Sequence, residues 1–430
     1  MTAALILAIL LVLLLTGTPI SIALGMTVLT FIVLFSSFSL ETVDVISQRL
    51  FTGLESFAIM AVPFFILSGA FLTEGGSAAR IVRFAKSLVG ALPGGLAMAA
   101  ILACAFFATI SGSSPATVVA IGSIMLPAMV KEGYTKRFAV GVISTSGSLG
   151  ILIPPSIVLI IYAVSTSESA GKMFLGGMVP GAMLAGLLML MTYITARVKR
   201  FPTGERSSPG EIWRAFKDAF WGLMLVVIVL GGIYGGIFTP TEAAAVSAVY
   251  AFVATVWIEK GLRLRDVPKV LLSAANTSAM LLYIITNAIL FSFLLTAEQI
   301  PQGLAQWVVS SEMTPWMFLL ALNIALLIAG QFMEPSSIIL ILAPLALPIA
   351  VQLGIDPVHL GIIMTINMEI GMITPPVGLN LFVASHMARM GMTEVALAAL
   401  PWCAALIGFL LLITYVPAIS LWLPNLIYGP

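Results

Sequence analysis

The amino-acid sequence predicts an all-α polytopic membrane protein made of two inverted-topology repeats. Three observations predict it: the composition is apolar, the basic residues are clustered, and a proline pair recurs with its neighbours at a fixed distance along the chain. Of the 430 residues, 60% are hydrophobic and only 9% are charged. The mean hydropathy is +1.14, which lies far outside the range of a soluble globular chain.

Apolar runs of the length that a helix needs to cross a bilayer recur along the whole chain. We place ten crossings at roughly 3–17, 19–37, 55–73, 138–165, 171–196, 217–235, 241–259, 276–297, 357–385 and 396–426. Two further apolar stretches, about 93–130 and 315–350, carry the same charge bias at both of their ends and so enter and leave on one face. Their centres are polar turns, "SGSSPAT" and "MEPSS". Each stretch is either a re-entrant helical hairpin or a pair of thin spans.

The distribution of lysine and arginine predicts the orientation in the membrane. Five clusters hold 17 of the 19 basic residues, namely 80–86, 131–137, 197–217, 260–269 and Arg389. Basic residues collect in cytoplasmic loops of membrane proteins, so all five clusters are expected on the cytoplasmic side. Both termini are then periplasmic, the first hairpin opens to the cytoplasm, and the second hairpin opens to the outside.

A repeat appears when the proline pair of "GSLGILIPPSIVLIIYA" is matched to that of "MEIGMITPPVGLNLFVA", 221 residues later. At the same offset and without gaps, further prolines and glycines coincide, namely Pro127 with Pro348, Gly133 with Gly354, and Gly150 with Gly371. The halves, 1–198 and 217–430, each contain five crossings and one hairpin and are joined by a basic linker at 199–216. Because five is odd, the second half is predicted to lie upside down relative to the first.

Breaks in membrane helices are tolerated only where they are buried in protein or line a wet cavity. Two hairpin turns and two broken helices that meet near the midplane are the architecture of a secondary transporter. The residues at these positions offer oxygen atoms: Ser111, Ser113, Ser114 and Thr117 on the first turn, Ser336 and Ser337 on the second, and the carbonyls freed beside Gly150 and Gly371. With no His or Cys near the breaks, the donors favour an alkali cation over a transition metal.

Three polar side chains near the second break have open roles. Glu334 and Glu369 are the acids closest to the expected midplane, where an ionisable group suggests function. Each could offset the charge of a bound cation, carry a proton or stay neutral as a hydrogen-bond donor, and we favour the first role. Asn380 could either reach the substrate or cap the second half-helix.

Two basic amphipathic stretches, "SAARIVRFAKSLVG" and "LRDVPKVLLSAA", have the composition of interfacial helices. Such helices would brace one part of the protein while another part moves. A solvated helix end is the alternative for each of them.

The glycine and proline pair of "GILIPP" and "GMITPP", the turn "SGSSPAT" and the central basic linker resemble the large membrane subunit of the tripartite ATP-independent periplasmic (TRAP) transporters. The resemblance covers essentially the whole chain. It implies the elevator type of the ion-transporter superfamily, in the bacterial inner membrane, without ATP or nucleic acid. It also implies a small four-helix membrane subunit, a periplasmic substrate-binding protein and coupling to two or more Na⁺. The implied substrate is an organic carboxylate, with sialic acid favoured and a C4-dicarboxylate next.

The same resemblance implies three groups of site residues. The first Na⁺ site is expected at Ser111, Gly150, Ile153 and Pro155, and the second at Met333, Glu334, Gly371, Thr374 and Pro376. The substrate is expected near Ser113, Ser114, Thr117, Ser336, Ser337 and Asn380.

Two other functions compete with this interpretation. A stand-alone cation-coupled anion carrier would need no binding protein, and the sequence leaves that open. An intramembrane hydrolase that uses Ser113 or Ser114 would need a base. The two histidines of the chain, His359 and His386, are both expected near membrane surfaces, and no HExxH motif occurs. An enzyme is therefore not expected.

Overall fold

The computed structural model describes residues 2–35, 44, 46–48, 50–51 and 55–429 of the chain. The regular elements of this described part are helices, together with one isolated bridge between Pro93 and Thr203. The end of the second predicted span, 36–37, lies outside the described residues. The helical fold that the apolar runs predict is confirmed for the described part.

Nine helices of the first half have assigned bounds, and residues 44, 46–48 and 50–51 are helical as well. The nine are α1 (Thr2–Leu15), α2 (Ile20–Phe35), α3 (Ala61–Glu74), α4 (Ser77–Val89), α5 (Gly95–Ser111), α6 (Ser114–Lys131), α7 (Lys136–Ser146), α8 (Ile157–Thr166) and α9 (Ala170–Lys199). A 3₁₀ turn, Gly147–Ile151, follows α7 directly. The predicted first hairpin is therefore α5 and α6, and the predicted broken helix is α7 and α8.

The second half contributes ten helices within the described residues. They are α10 (Pro209–Tyr234), α11 (Pro240–Val253), α12 (Val267–Ala297), α13 (Ile300–Ser310), α14 (Pro315–Gly330), α15 (Pro335–Gln352), α16 (Pro357–Gly371), α17 (Leu379–Ala388), α18 (Met392–Tyr415) and α19 (Ala418–Tyr428). A π-helical segment, Ala254–Ile258, extends α11, and a 3₁₀ turn, Leu264–Asp266, precedes α12. The second hairpin is α14 and α15, and the second broken helix is α16 and α17.

Five pairs of helices begin at equivalent positions in the two halves. The starts of α5 to α9 and of α14 to α18 agree with the 221-residue offset to within one residue. Helix α6 and helix α15 agree at both ends, since Ser114 and Lys131 correspond to Pro335 and Gln352. This recurrence of helix starts agrees with the sequence repeat, while the inverted orientation of the halves stays a prediction.

Length and composition mark some of these helices as able to span a bilayer. Within the described residues, seven are long and apolar enough: Ser114–Lys131, Ala170–Lys199, Pro209–Tyr234, Pro240–Ile258, Leu264–Ala297, Pro335–Gln352 and Met392–Tyr415. Two of the seven are hairpin arms, α6 and α15. Helix length alone therefore leaves both alternatives open for the hairpin stretches.

The structure moves several boundaries that the sequence predicted. Helix α10 begins at Pro209, inside the predicted linker, because Ser208 and Glu211 form a reciprocal capping box. The stretch "LRDVPKVLLSAA" is not a separate interfacial helix, since most of it forms the first turns of the 31-residue α12. The last predicted span is two helices, α18 and α19, which are separated at Val416 and Pro417.

The basic clusters meet at one end of the protein. Three ion pairs start from α4 and reach three other segments: Arg80 with Glu259, Arg83 with Asp218, and Lys86 with Glu132. The Arg137 guanidinium also donates to the Leu397 carbonyl at 3.3 Å. The Arg80–Glu259 pair is largely buried, while the other two pairs are exposed and add little stability. Together they show that cluster 80–86 adjoins clusters 131–137, 197–217 and 260–269. We call this the basic end.

Candidate functional site

The first broken helix is interrupted deep inside the protein. Helix α7 passes into the 3₁₀ turn Gly147–Ile151, and α8 resumes at Ile157 after the proline pair Pro154 and Pro155. Both prolines and Ser156 are buried. The Ser156 hydroxyl donates to the Ile151 carbonyl at 2.5 Å and accepts from the Leu159 amide at 3.4 Å, so it caps α8.

The tip of the first hairpin is a small cluster of oxygen atoms. Helix α5 ends at Gly112, which has a left-handed φ of 58°, and α6 begins at Ser114. The Ser111 and Thr117 hydroxyls lie 2.8 Å apart. Both hydroxyls also donate to the Ser113 carbonyl, from 3.2 Å and 2.9 Å respectively. Three oxygens from one turn therefore converge without a charged group.

This tip packs directly against the first break. A Cβ on Gly150 would lie 2.7 Å from the Ser113 carbonyl oxygen, which is too close for any side chain. The Ile157 amide donates to the Gly112 carbonyl at 3.4 Å, and a Cβ on Gly112 would lie 3.2 Å from the Pro155 carbonyl oxygen. The structure thus brings Ser111, Ser113, Gly150 and Pro155 into one place.

Ile153 contributes differently from the other residues expected at this site. Its side chain packs against Gly181 of α9, where an added Cβ would lie 2.7 Å from the Ile153 Cγ1 atom. Its amide donates to the Leu149 carbonyl at 3.0 Å. Only the backbone carbonyl oxygen of Ile153 is therefore available as a ligand for a cation.

The second break meets its hairpin through close backbone contacts. A Cβ on Gly371 would lie 2.7 Å from three backbone atoms of Gly330. The Gly378 amide donates to the Gln331 carbonyl at 3.4 Å, and Gly378 is 221 residues after Ile157, the donor of the matching bond in the first half. The Thr374 hydroxyl donates to the Ile370 carbonyl at 2.6 Å. Pro376, unlike its buried counterpart Pro155, is exposed.

The residues expected on the second hairpin turn bond chiefly to one another. Glu334 is the N-cap of α15, and its carboxylate accepts from the Ser336 hydroxyl at 2.6 Å and from the Ser337 amide at 3.3 Å. The Ser337 hydroxyl approaches the same carboxylate at 3.4 Å. The Met333 amide donates back to Ala329. Within the described residues, the hydrogen bonds of the Glu334 carboxylate go to Ser336 and Ser337 and not to Gly371 or Thr374.

Asn380 links the two halves of the chain. Its side-chain amide donates to the Ser114 hydroxyl at 2.7 Å and to the Ser144 carbonyl at 3.2 Å. Asn380 and Ser114 are both fully buried. The side chain therefore does not cap α17, which was one of the two expected roles. It holds the first hairpin tip against the second broken helix instead.

Sequence reasoning missed a buried chain of polar side chains that crosses three helices. The Asn367 amide of α16 donates to the Asn323 carbonyl oxygen of α14 at 2.7 Å. The Asn323 amide donates in turn to the Thr414 hydroxyl of α18 at 3.0 Å. A signal was available, because asparagine inside an apolar run suggests a contact between membrane helices. The partner of each asparagine was not readable, since the two contacts span 44 and 91 residues.

A cavity of about 500 Å³ connects the first hairpin tip to the basic end. Ser111 and Ser113 line it together with Thr73 of α3, Lys269 of α12 and the Thr277 side chain of α12. Because Lys269 belongs to one of the basic clusters, the hydroxyl cluster is reached from that end of the protein.

The donors at both breaks fit a small hard cation. They are hydroxyl and carbonyl oxygens, which suit alkali and alkaline-earth ions, whereas imidazole and thiolate suit transition metals. Within the part of the chain that the structure describes, no group of three or more His, Cys, Asp or Glu residues could hold a metal ion. Of the two histidines, His359 bonds to Ser420 and the Thr414 carbonyl, and His386 is exposed. The expectation that no cysteine lies near the breaks is wrong for the second break, since the Cys403 sulfur lies 3.6 Å from the Thr374 hydroxyl.

The sequence matches the family described as "Tripartite ATP-independent periplasmic transporter, DctM component" over residues 7–419. It is 58% identical to the "C4-dicarboxylate TRAP transporter large permease protein DctM" of Rhodobacter capsulatus, over 99% of this chain and 100% of that protein. It is 35% identical to the "Sialic acid TRAP transporter large permease protein SiaM" of Vibrio cholerae, over 97% of both chains.

The fold is similar to that of a solved transporter of low sequence identity. The YdaH transporter of Alcanivorax borkumensis matches with a TM-score of 0.67 at 15% identity, over 94% of this chain and 98% of that one. At this identity the likeness concerns the fold alone.

Proposed function

Since this chain belongs to the DctM component family of the tripartite ATP-independent periplasmic transporters, we propose that it imports a C4-dicarboxylate by coupling uptake to sodium. As a large permease of this family, it is a multi-pass membrane transporter and not an enzyme. The observation that carries the proposal is the meeting of both halves at their breaks. Asn380 of the second broken helix reaches Ser114 of the first hairpin at 2.7 Å, beside the hydroxyl cluster of Ser111 and Thr117.

Sodium coupling is supported by the oxygen donors at the first break. Ser111, Ser113 and Thr117 supply two hydroxyls and a carbonyl within hydrogen-bond distance of one another, and Gly150 lets the backbone of the broken helix approach them. A cation bound there would replace these mutual hydrogen bonds with its own coordination. Each Na⁺ that enters down a potential of 100 mV contributes about 2.3 kcal/mol before its concentration gradient is counted.

The second cation site is proposed at Gly371, Thr374 and Pro376, with carbonyls as the main donors. The Gly330–Gly371 contact brings the hairpin backbone to the break, as the Gly150–Ser113 contact does in the first half. Met333 and Glu334 are less suited as ligands in this arrangement, because the Glu334 carboxylate already accepts the capping bonds of Ser336 and Ser337.

The proposed substrate is inferred from the sequence identity of this chain to its relatives. The sequence had favoured sialic acid over a C4-dicarboxylate. A relative named for C4-dicarboxylates is 58% identical, whereas the one named for sialic acid is 35% identical. We therefore place a C4-dicarboxylate first. The substrate would bind between the breaks, near Ser113, Ser114 and Asn380, where the N-terminus of α6 offers free amides to a carboxylate.

An elevator motion is the proposed mechanism. The hairpins and broken helices would form the moving part, and α4 would act as a brace that connects it to the remainder. Three ion pairs fix α4 at the basic end, and the cavity from that end reaches Ser111 and Ser113. If the basic end faces the cytoplasm, as the charge clusters predict, this arrangement would release substrate inward.

The family implies a tripartite system with a small membrane subunit and a periplasmic binding protein. We propose that this chain works only with both. The test is uptake of radiolabelled succinate into proteoliposomes that contain the large and small subunits, with binding protein outside. Uptake is expected with external Na⁺ and not with choline, and succinate rather than sialic acid should be taken up. Uptake that is undiminished without sodium would overturn sodium coupling, and uptake by the large subunit alone would indicate a stand-alone carrier.

A further inference from the structure

Glu369 is a buried carboxylate without a protein partner. It lies in α16, two residues before the break at Gly371, and its exposed fraction is 0%. Neither of its carboxylate oxygens has a hydrogen-bond partner among the described residues. Glu334, the other acid of this region, differs because its oxygens accept bonds from Ser336 and Ser337. Glu369 is thus the one of these two acids that has no hydrogen-bond donor beside its carboxyl group.

The position of Glu369 on α16 indicates which neighbours it faces. Val358 and Ile362 pack against Gly176 of α9, where an added Cβ would lie 2.8 Å and 3.3 Å from their side chains. Glu369 follows Ile362 by seven residues, which is two helical turns, and so belongs to the same stripe. Asn367 instead faces α14 through its bond to Asn323. Glu369 is therefore on the side of α16 that turns toward the first half of the chain.

The first break lies on that side as well. Helix α16 contacts α9 and also the 3₁₀ turn Gly147–Ile151, which belongs to the first broken helix. The carboxylate of Glu369 is thus placed on the inner side of the second break, toward the first. No basic side chain forms an ion pair with it, because the three ion pairs among the described residues all lie at the basic end.

At the proposed cation sites, the ligands would not balance the positive charge of a bound cation. These ligands, such as the Ser111 hydroxyl and the Thr374 hydroxyl and the carbonyls around Gly150 and Gly371, are formally neutral. A cation bound by neutral ligands in a protein interior leaves an unbalanced positive charge, whereas an isolated buried carboxyl group can carry its negative charge only beside a compensating cation. Each of the two would stabilise the other at close range.

We propose that Glu369 is the counter-charge of a coupling cation that binds between the two breaks. It acts through the electrostatic field and is not one of the ligands. This inference rests on the proposed sodium coupling and adds a residue to it. By linkage, the carboxylate strengthens cation binding, and the bound cation stabilises the packing of α16. Without the cation, the carboxyl group of Glu369 has no partner that offsets the cost of burying it.

The test is thermal unfolding of the purified complex of large and small subunits, as Na⁺ replaces choline at constant ionic strength. The wild-type complex should be stabilised by Na⁺. Glu369→Gln should be as stable as wild type or more stable without Na⁺, because the carboxyl group that it replaces has no partner among the described residues. Its half-saturating Na⁺ concentration should rise by at least about tenfold. Glu369→Asp keeps the charge and should restore most of the affinity.

Two further variants keep the test decisive. Glu369→Met replaces the carboxylate by an apolar chain of similar length and should reproduce the loss of Na⁺ affinity if the Gln variant fails to fold. Glu312→Gln makes the same change at an exposed residue between α13 and α14 and should behave as wild type.

Three outcomes would contradict the account, and they are distinguishable. An unchanged half-saturating Na⁺ concentration in Glu369→Gln would overturn the counter-charge role. A loss of stability that is equal at all Na⁺ concentrations would also overturn it, since that is the signature of a purely structural glutamate. A wild-type complex that Na⁺ does not stabilise relative to choline would instead overturn the proposed sodium coupling.

Discussion

The two breaks share a helical framework but differ in how their hairpins meet them. At the first break, buried prolines lie beside a tip of neutral oxygens, and Gly150 packs on the Ser113 carbonyl. At the second break, the prolines are exposed, the tip is closed by the Glu334 cap, and contact occurs between the backbones of Gly330 and Gly371. At the proposed cation sites, hairpin side chains would thus reach the cation at the first break, whereas the second site would depend on carbonyls and Thr374.

This difference teaches that a sequence repeat can keep backbone geometry while its chemistry diverges. The amide of Ile157 and that of Gly378, 221 residues apart, donate to the carbonyls of Gly112 and Gln331. The two tips both carry serines, but these lie at different positions along the turn, and only the second tip has a carboxylate, that of Glu334. Residue roles are therefore transferable between the halves for the glycines and the prolines, but not for the serines.

The largest expected effect comes from the two glycines that permit the close contacts. Gly150→Ala and Gly371→Ala should each lower uptake by about a hundredfold or more, because a methyl group would collide with backbone atoms 2.7 Å away and a shift of about one ångström misplaces the site. Gly186→Ala in α9 and Gly408→Ala in α18 are the controls, since nothing lies within 4 Å of an added Cβ there. If one of the two site variants transported normally, the close contact at that break would not be needed for transport.

A smaller effect is expected from Ser111→Ala. The variant removes a hydroxyl that bonds to Thr117 and Ser113, and the Na⁺ concentration for half-maximal uptake should rise by about tenfold with little change in the maximal rate. The measurement is uptake against Na⁺ concentration. Ser123→Ala on α6, whose hydroxyl bonds to the Ala120 carbonyl, is the matched control. An unchanged Na⁺ dependence would mean that only carbonyls coordinate at this break.

The smallest effect is expected from Glu334→Gln. The substitution weakens the N-cap of α15 and should cost about 1 kcal/mol of stability, measured by thermal unfolding of the complex. Its effect on Na⁺ affinity should be smaller than that of Ser111→Ala, because the carboxylate is occupied by Ser336 and Ser337. If Na⁺ dependence were lost instead, Glu334 would be a ligand and the two breaks would be more alike than we infer.

Much of the fold was predictable because membrane helices depend on local sequence. The apolar runs located the spans, and the prolines located both interruptions, as Pro154 and Pro375 show. The tip of the first hairpin was predicted at 111–117, and α5 ends and α6 begins within it. The start of α10 was missed, although the motif Ser208–Pro–Gly–Glu211 is a readable capping signal.

The pairing of side chains across the chain was not predictable. Asn380 contacts Ser114 across 266 residues, and nothing near Asn380 in the sequence indicates that partner. The role of Glu334 was also unclear from sequence, since a carboxylate before a proline suits both a cap and a cation ligand. Whether the Glu369 carboxyl group has a hydrogen-bond partner depends on every helix that surrounds it. Only the folded structure shows that it has none among the described residues.

The most direct test of two cation sites is the dependence of the initial rate of succinate uptake on Na⁺ concentration in the reconstituted tripartite system. Two sites that must both be filled predict a sigmoidal curve with a Hill coefficient above one. Ser111→Ala should shift that curve to higher Na⁺ while leaving it sigmoidal. A hyperbolic curve for the wild-type system, or a rate that does not depend on Na⁺, would contradict the account.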